Sequence, residues 1–221
     1  MGDEGNEPDE GRDTDEEGER HGVRVSPRVD IRPARGEPLP LEETVMSNPV
    51  IPRPHVKQLS EACADMGISF QPVARRILDE QARLVKFFRS NLPQMDEQAG
   101  EVSLYLFTVV VRIFQECGGK LPRVGPAEIA AATAKIGAHA RTLMPADADF
   151  PARVRGVTDR AQPHILDEAL HALFEREEKK DEEIELDPAQ SARVFLMLWA
   201  ATEALDLAWK APSAPAWADP A

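Results

Sequence analysis

Two histidines and two glutamates recur at helical spacing in one segment of the chain. The stripe consists of His164, Glu168, His171 and Glu175. On a helix that turns about 100° per residue, the last three lie within about 40° of the first. Imidazole nitrogens and carboxylate oxygens are common metal ligands, and Glu168 and His171 have the Glu-x-x-His spacing of di-iron helical bundles. The four residues are therefore candidate metal ligands.

The apolar residues of the same segment argue against a buried metal centre. Ile165, Leu166 and Leu170 lie on the opposite side, which an amphipathic helix buries. Di-iron ligands point into the core, and that fold needs a second Glu-x-x-His, which this sequence lacks. Two hypotheses stay open: a metal- or small-ligand-binding helical-bundle enzyme that uses His164, Glu168 and His171, or a solvated helix face without a cofactor. We expect the second.

A second candidate site lies on the predicted helix 188–209, which is apolar on more than one side. Its members are Phe195, Trp199, Thr202 and Asp206. The two aromatic rings lie four residues apart, with the polar residues beside them, and exposing such rings is costly unless something covers them. Either another part of this chain covers them, or the four residues form an interaction surface for a protein partner or a second copy.

The sequence contains no common catalytic motif. It has no GxxxxGK[ST] phosphate loop, no GxGxxG and no HExxH, and no GxSxG nucleophile elbow. Cys63 and Cys117 are the only cysteines and have no CxxC neighbour, which favours buried thiols over a disulfide or a zinc site. We therefore predict a protein that is not an enzyme.

The charge balance limits the classes of partner. The net charge is -13, which opposes binding to phosphates and anionic membranes, so we expect neither nucleic acid nor a membrane as a partner. The longest apolar run, 102–114, is too short to span a bilayer and contains Arg112. The first residues have no basic region followed by an apolar one, so they do not resemble a secretory signal. These features predict a cytoplasmic protein.

Composition divides the chain into three parts. Residues 1–46 form a leader with 14 acidic and six basic side chains and no aromatic residue, which predicts disorder. Met46 is an alternative start, in which case the leader would not be native. Residues 47–210 have helical periodicity and form the predicted domain, and 211–221 form a tail rich in proline and alanine.

Helix start and stop signals recur along 47–210. Proline occupies the first turn of the segments that begin near 71, 126, 163 and 188, and Asp187 and Gln190 match a capping box. The first of these segments predicts one long helix over 71–91. We predict an all-α fold, a single bundle of about six or seven helices, with the helices 101–117 and 188–209 at its centre. Together with the missing motifs, this fold predicts a non-enzymatic interaction or regulatory module.

Overall fold

Eight α-helices occur in the part of the chain that the computed structural model describes, residues 47–175, 186–215 and 217. They are α1 (Arg53–Asp65), α2 (Gln71–Glu80), α3 (Ala82–Asn91), α4 (Glu97–Glu116), α5 (Pro126–Leu143), α6 (Phe150–Arg155), α7 (Pro163–Leu170) and α8 (Pro188–Ala208). Two 3-10 helices, Gly67–Phe70 and Leu92–Gln94, and a π-helical turn, His171–Glu175, complete the described elements. The predicted all-α bundle is confirmed. The prediction for the leader 1–46 lies outside the described residues.

Capping side chains begin the two long central helices. The Asp96 carboxylate accepts a 2.7 Å hydrogen bond from the backbone N–H of Ala99 at the start of α4. Asp187 accepts a 2.9 Å bond from the N–H of Gln190 at the start of α8. Each bond satisfies a backbone donor that has no partner inside the helix. The predicted cap at Asp187 is therefore present.

The helix predicted over 71–91 is broken at Gln81. This residue leaves the helical region (φ -107°, ψ 39°) and separates α2 from α3. Its side chain is buried, with the amide nitrogen 3.1 Å from the carbonyl oxygen of Pro122 and the amide oxygen 3.0 Å from the N–H of Val124. The break thus lets the Gln81 side chain bond two backbone groups of a distant loop. Local helix propensity contains no information about such a contact.

The core forms where α8 packs against α5 and α4. Val194, Leu198 and Leu205 of α8 are fully buried, as are Phe107 and Phe114 of α4. Helices apolar on several sides belong at the centre of a bundle, as the sequence predicted for both segments. Of the helices described, none has both the length and the apolar character needed to cross a bilayer.

The chain after α8 packs against the loop that follows α4. An antiparallel bridge pairs Lys120 with Lys210, and the Trp209 indole donates a 2.9 Å hydrogen bond to the carbonyl oxygen of Gly118. The Trp217 ring lies 5.4 Å from the His55 ring. Part of the segment that the sequence placed in a tail therefore contacts the helical domain.

Candidate functional site

The two aromatic rings of the predicted interaction surface lie inside the bundle. Phe195 and Trp199 are fully buried. The Phe195 ring lies 6.0 Å from that of Phe150 on α6, and the Trp199 ring stacks on His139 of α5 at 5.6 Å. Within the described part of the chain, α8 is therefore covered by its own neighbours on both apolar sides. These rings form core rather than an exposed surface, because two other helices of the same chain supply the cover.

The two polar members of that predicted surface also make internal contacts. Thr202 is buried and donates a 2.8 Å hydrogen bond to the carbonyl oxygen of Leu198. Asp206 accepts a 2.8 Å bond from the amide of Gln162, which also bonds the backbone of Pro49 and Ile51. Burial raises the pKa of Asp206. This cluster links the segment before α1 to α8, so the side chains of Thr202 and Asp206 are engaged in contacts within the described part of the chain.

A buried carboxylate completes the contacts around Trp199. Glu203 is 5% exposed, and one of its oxygens accepts hydrogen bonds from the Trp199 indole and from the N–H of Ala161, both at 2.9 Å. Its other oxygen lies 2.8 Å from the Lys135 ammonium. Each polar atom in this group is satisfied, as buried polar groups require. The arrangement links α5, α8 and the loop before α7.

The structure does not assemble the four predicted metal ligands into one site, although Nδ1 of His171 lies 4.0 Å from an oxygen of Glu175. Glu175 makes a two-pronged ion pair with Arg155, at 2.6 and 2.8 Å, which lowers the pKa of Glu175. The π-helical turn begins at His171, so the α-helical phase that placed Glu175 on the stripe ends there. The Nδ1 atom of His164 is buried without a partner in the described part of the chain. No group of three or more metal-ligating side chains is placed for a metal ion among the residues described.

Two members of the stripe line a cavity instead. Glu168 and His171 border a space of about 430 Å³ between α1, α4 and the π-helical turn. Arg53 and Lys57 of α1 and Tyr105 of α4 also line it. The volume lies within the range of small-molecule sites, about 300–1,000 Å³. We call this space the α1–α4 cavity.

The two cysteines are buried and free. Burial raises the pKa of the Cys117 thiol to about 12 and also raises that of Cys63. Nucleophilic cysteines need a stabilised thiolate, which burial disfavours. Both side chains therefore act as small apolar core residues.

A second concave feature lies beside α2. It has a volume of about 490 Å³ and is bordered by the 3-10 helix Gly67–Phe70, by α2 and by the loop before α5. Its lining includes Ile68, Pro72, Arg75, Arg76, Asp79 and Arg123. We call it the arginine groove. Sequence reasoning did not identify it, although the paired arginines at 75 and 76 in an acidic chain were a usable signal.

Gln81 holds in place the loop that forms one wall of this groove. Its two hydrogen bonds hold the backbone at Pro122 and Val124 against the junction of α2 and α3. Arg123 lies between those two residues, is exposed and lines the groove. The groove therefore depends on a contact between segments about 40 residues apart.

The charges in the groove are unequally paired. Arg76 donates a 2.7 Å hydrogen bond to Glu80, and the other Glu80 oxygen accepts one from Gln115 at 3.1 Å. Arg75 and Arg123 have no ion-pair partner within the described ranges, and Asp79 is the unpaired carboxylate nearby. The groove thus offers two guanidinium groups to an anionic ligand.

An exposed aliphatic side chain stands at the edge of the groove. Ile68 is 81% exposed, and it follows Gly67, whose φ of +50° favours glycine. Exposed apolar residues beside arginines are typical of protein interfaces, where arginine is enriched. Comparison with known proteins gives no guide to the ligand, since no family model, no curated protein and no solved structure matches this chain.

Proposed function

We propose that this protein is a non-enzymatic interaction module that binds an acidic segment of a partner protein in the arginine groove. The observation that carries the proposal is the meeting of an exposed Ile68 with two unpaired arginines, Arg75 and Arg123, across one groove. The proposed binding surface therefore lies on α2 and the loop before α5, and the buried rings of α8 take no part in the proposal.

The chemistry of the groove favours carboxylates on the partner. A guanidinium group presents a planar set of donors that bonds a carboxylate with two parallel hydrogen bonds. Arg75 on α2 and Arg123 on the loop before α5 both line the groove, so an extended acidic segment there is placed to bond both. Ile68 and Pro72 supply apolar contact for an aliphatic side chain of the same segment.

The groove suits a protein better than a nucleic acid. Nucleic-acid grooves combine basic residues with aromatic side chains on which bases stack, and no aromatic residue lines this groove among the residues described. The net charge of the chain, -13, also repels a long polyanion. A short acidic segment carries fewer charges and contacts the basic residues directly.

The proposal includes a cytoplasmic setting. Two free, buried thiols, Cys63 and Cys117, are compatible with a reducing compartment. The described helices include none that could span a bilayer.

The test is photo-crosslinking from position 68 in the full chain. A photoreactive residue replaces Ile68, the protein is irradiated in an extract of its source cells, and crosslinked segments are identified by mass spectrometry. We expect a protein segment with net negative charge. The double variant R75E/R123E should lower its yield at least tenfold, because both guanidinium groups become repulsive.

The matched control is R89E/R141E, which changes net charge equally at two exposed arginines that do not line the groove. It should leave the crosslink yield within twofold. Crosslinks to nucleic acid, to a segment without excess acidic residues or to a second copy of the chain would overturn the proposal. So would an equal loss in both double variants.

A further inference from the structure

The α1–α4 cavity contains groups of both charges. Lys57 and Glu61, both on α1, form an exposed ion pair at 3.7 Å. Arg53 and Glu168 have no ion-pair partner in the described part of the chain. The Arg53 charge is felt nearby, since it helps to lower the pKa of Glu175 at the end of the π-helical turn. The cavity therefore holds one available cation and one available anion.

Apolar side chains line the cavity together with the polar groups of Ser60, Tyr105 and His171. Leu106 and Val109 of α4 border the cavity, and Ala64 and Ala172 border it with small side chains. Small-molecule sites commonly combine an apolar wall with a few charged groups that fix the orientation of the ligand. The α1–α4 cavity has this composition.

The π-helical turn is a second, independent observation at the same place. It spans His171–Glu175, and its first two residues, His171 and Ala172, line the cavity. π-helical turns are rare and occur frequently at functional sites. Here the turn begins three residues after Glu168 and borders the same space as the available carboxylate.

From these observations we infer that the α1–α4 cavity binds a small zwitterion of the amino-acid class with an aliphatic side chain. Its carboxylate bonds Arg53, its ammonium group bonds Glu168, and its side chain contacts Leu106 and Val109. A ligand with only a negative charge would be repelled by Glu168. A ligand with only a positive charge would be repelled by Arg53. The inference is separate from the proposed function, because the cavity and the arginine groove share no lining residue.

Calorimetric titration of the full chain with L-leucine and with the dipeptide Leu-Leu tests the inference. The two probes differ in the spacing of their charges, so the one that binds identifies a free amino acid or a peptide as the natural class. Binding of that probe should weaken at least tenfold in R53Q and in E168Q. The control R141Q, at an exposed arginine on α5, should bind as the wild type does.

Two analogues of leucine make the roles of the charges separable. 4-Methylpentanoate lacks the ammonium group, so E168Q should strengthen its weaker binding by removing a repulsive carboxylate. 3-Methylbutylamine lacks the carboxylate, so R53Q should strengthen its binding in the same way. If neither L-leucine nor Leu-Leu binds at millimolar concentration, or if binding is unchanged in both variants, the inference is wrong. The crosslinking from position 68 should be unaffected by R53Q in either case, which separates the two proposals.

Discussion

The Glu203 carboxylate is the point at which three parts of the core meet. Its neighbours are the Trp199 indole, the Ala161 N–H and the Lys135 ammonium. We expect E203A to lower the free energy of unfolding by about 3 kcal/mol, because the substitution leaves the Trp199 indole and the Ala161 N–H without their acceptor. Urea denaturation followed by tryptophan fluorescence measures this change.

The variant E203Q is the matched control. Its amide oxygen can still accept the bonds from Trp199 and Ala161, and only the contact with Lys135 is lost. E203Q should therefore cost about 1 kcal/mol, the value of one hydrogen bond. Equal losses in the two variants would show that the bonds to Trp199 and Ala161 contribute little.

Asp206 predicts a dependence of stability on pH. Burial raises its pKa above the ordinary value of about 3.9. A carboxyl group with a raised pKa in the folded state stabilises that state most when protonated, below the unfolded pKa, and this contribution is lost as the pH rises through the folded pKa. The variant D206N removes the titration while it keeps an oxygen to accept from Gln162.

We therefore expect D206N to be more stable than the wild type at pH 7 and to lose that advantage below about pH 4. Urea midpoints from pH 3.5 to 8 for both proteins measure the difference. If the difference in stability between the two proteins stays constant across that range, the pKa of Asp206 is the same in the folded and unfolded states. E61Q, at an exposed residue of α1, controls for the change in net charge.

At the level of elements, two adjacent glycines in the loop after α4 lie against the segment that follows α8. Gly118 and Gly119 both have positive φ angles, +78° and +74°. A Cβ atom at 119 would lie 2.3 Å from the carbonyl oxygen of Lys210, whereas at 118 the nearest atom would be 3.9 Å away. A side chain at either position would therefore be strained by the positive φ angle, but only a side chain at 119 would also clash with neighbouring atoms.

This pair gives a matched prediction. G118A should cost about 1–2 kcal/mol for the left-handed backbone alone. G119A should cost more, because the bridge between Lys120 and Lys210 must also open to relieve the clash. Thermal unfolding of the two variants measures the difference. Equal midpoints would show that the segment after α8 yields at little cost.

The break at Gln81 shows the limit of prediction from local sequence. Helical periodicity runs through 71–91, and glutamine is a good helix former, so a single helix was the reasonable expectation. The break depends on backbone groups of Pro122 and Val124, 41 and 43 residues away along the chain. Contacts of that separation leave no local signal, which is also why the wall that Arg123 adds to the arginine groove was not predicted.

At the scale of the whole molecule, apolar periodicity was sufficient to predict the all-α class and the central positions of α4 and α8. It could not say what covers Phe195 and Trp199, because cover by α5 or by another protein leaves the same pattern on α8. The prediction that His164, Glu168, His171 and Glu175 share one helix face was inaccurate for a different reason. Its register assumed α-helical turns throughout, and the π-helical turn at His171 changes that register.

The net charge of -13 opposes any acidic partner, so binding in the arginine groove depends on the local balance of charge. At physiological salt the Debye length is about 8 Å, and distant carboxylates are largely screened. Asp79 lies within the groove, and its charge is not screened in this way from a ligand bound there.

We expect D79N to tighten binding of a fluorescent glutamate-rich peptide with a central leucine by about twofold to fivefold. D65N removes the same charge from an exposed position on α1 outside the groove and should change the affinity little, as measured by fluorescence anisotropy. If both variants tighten binding equally, net charge rather than the groove determines the affinity.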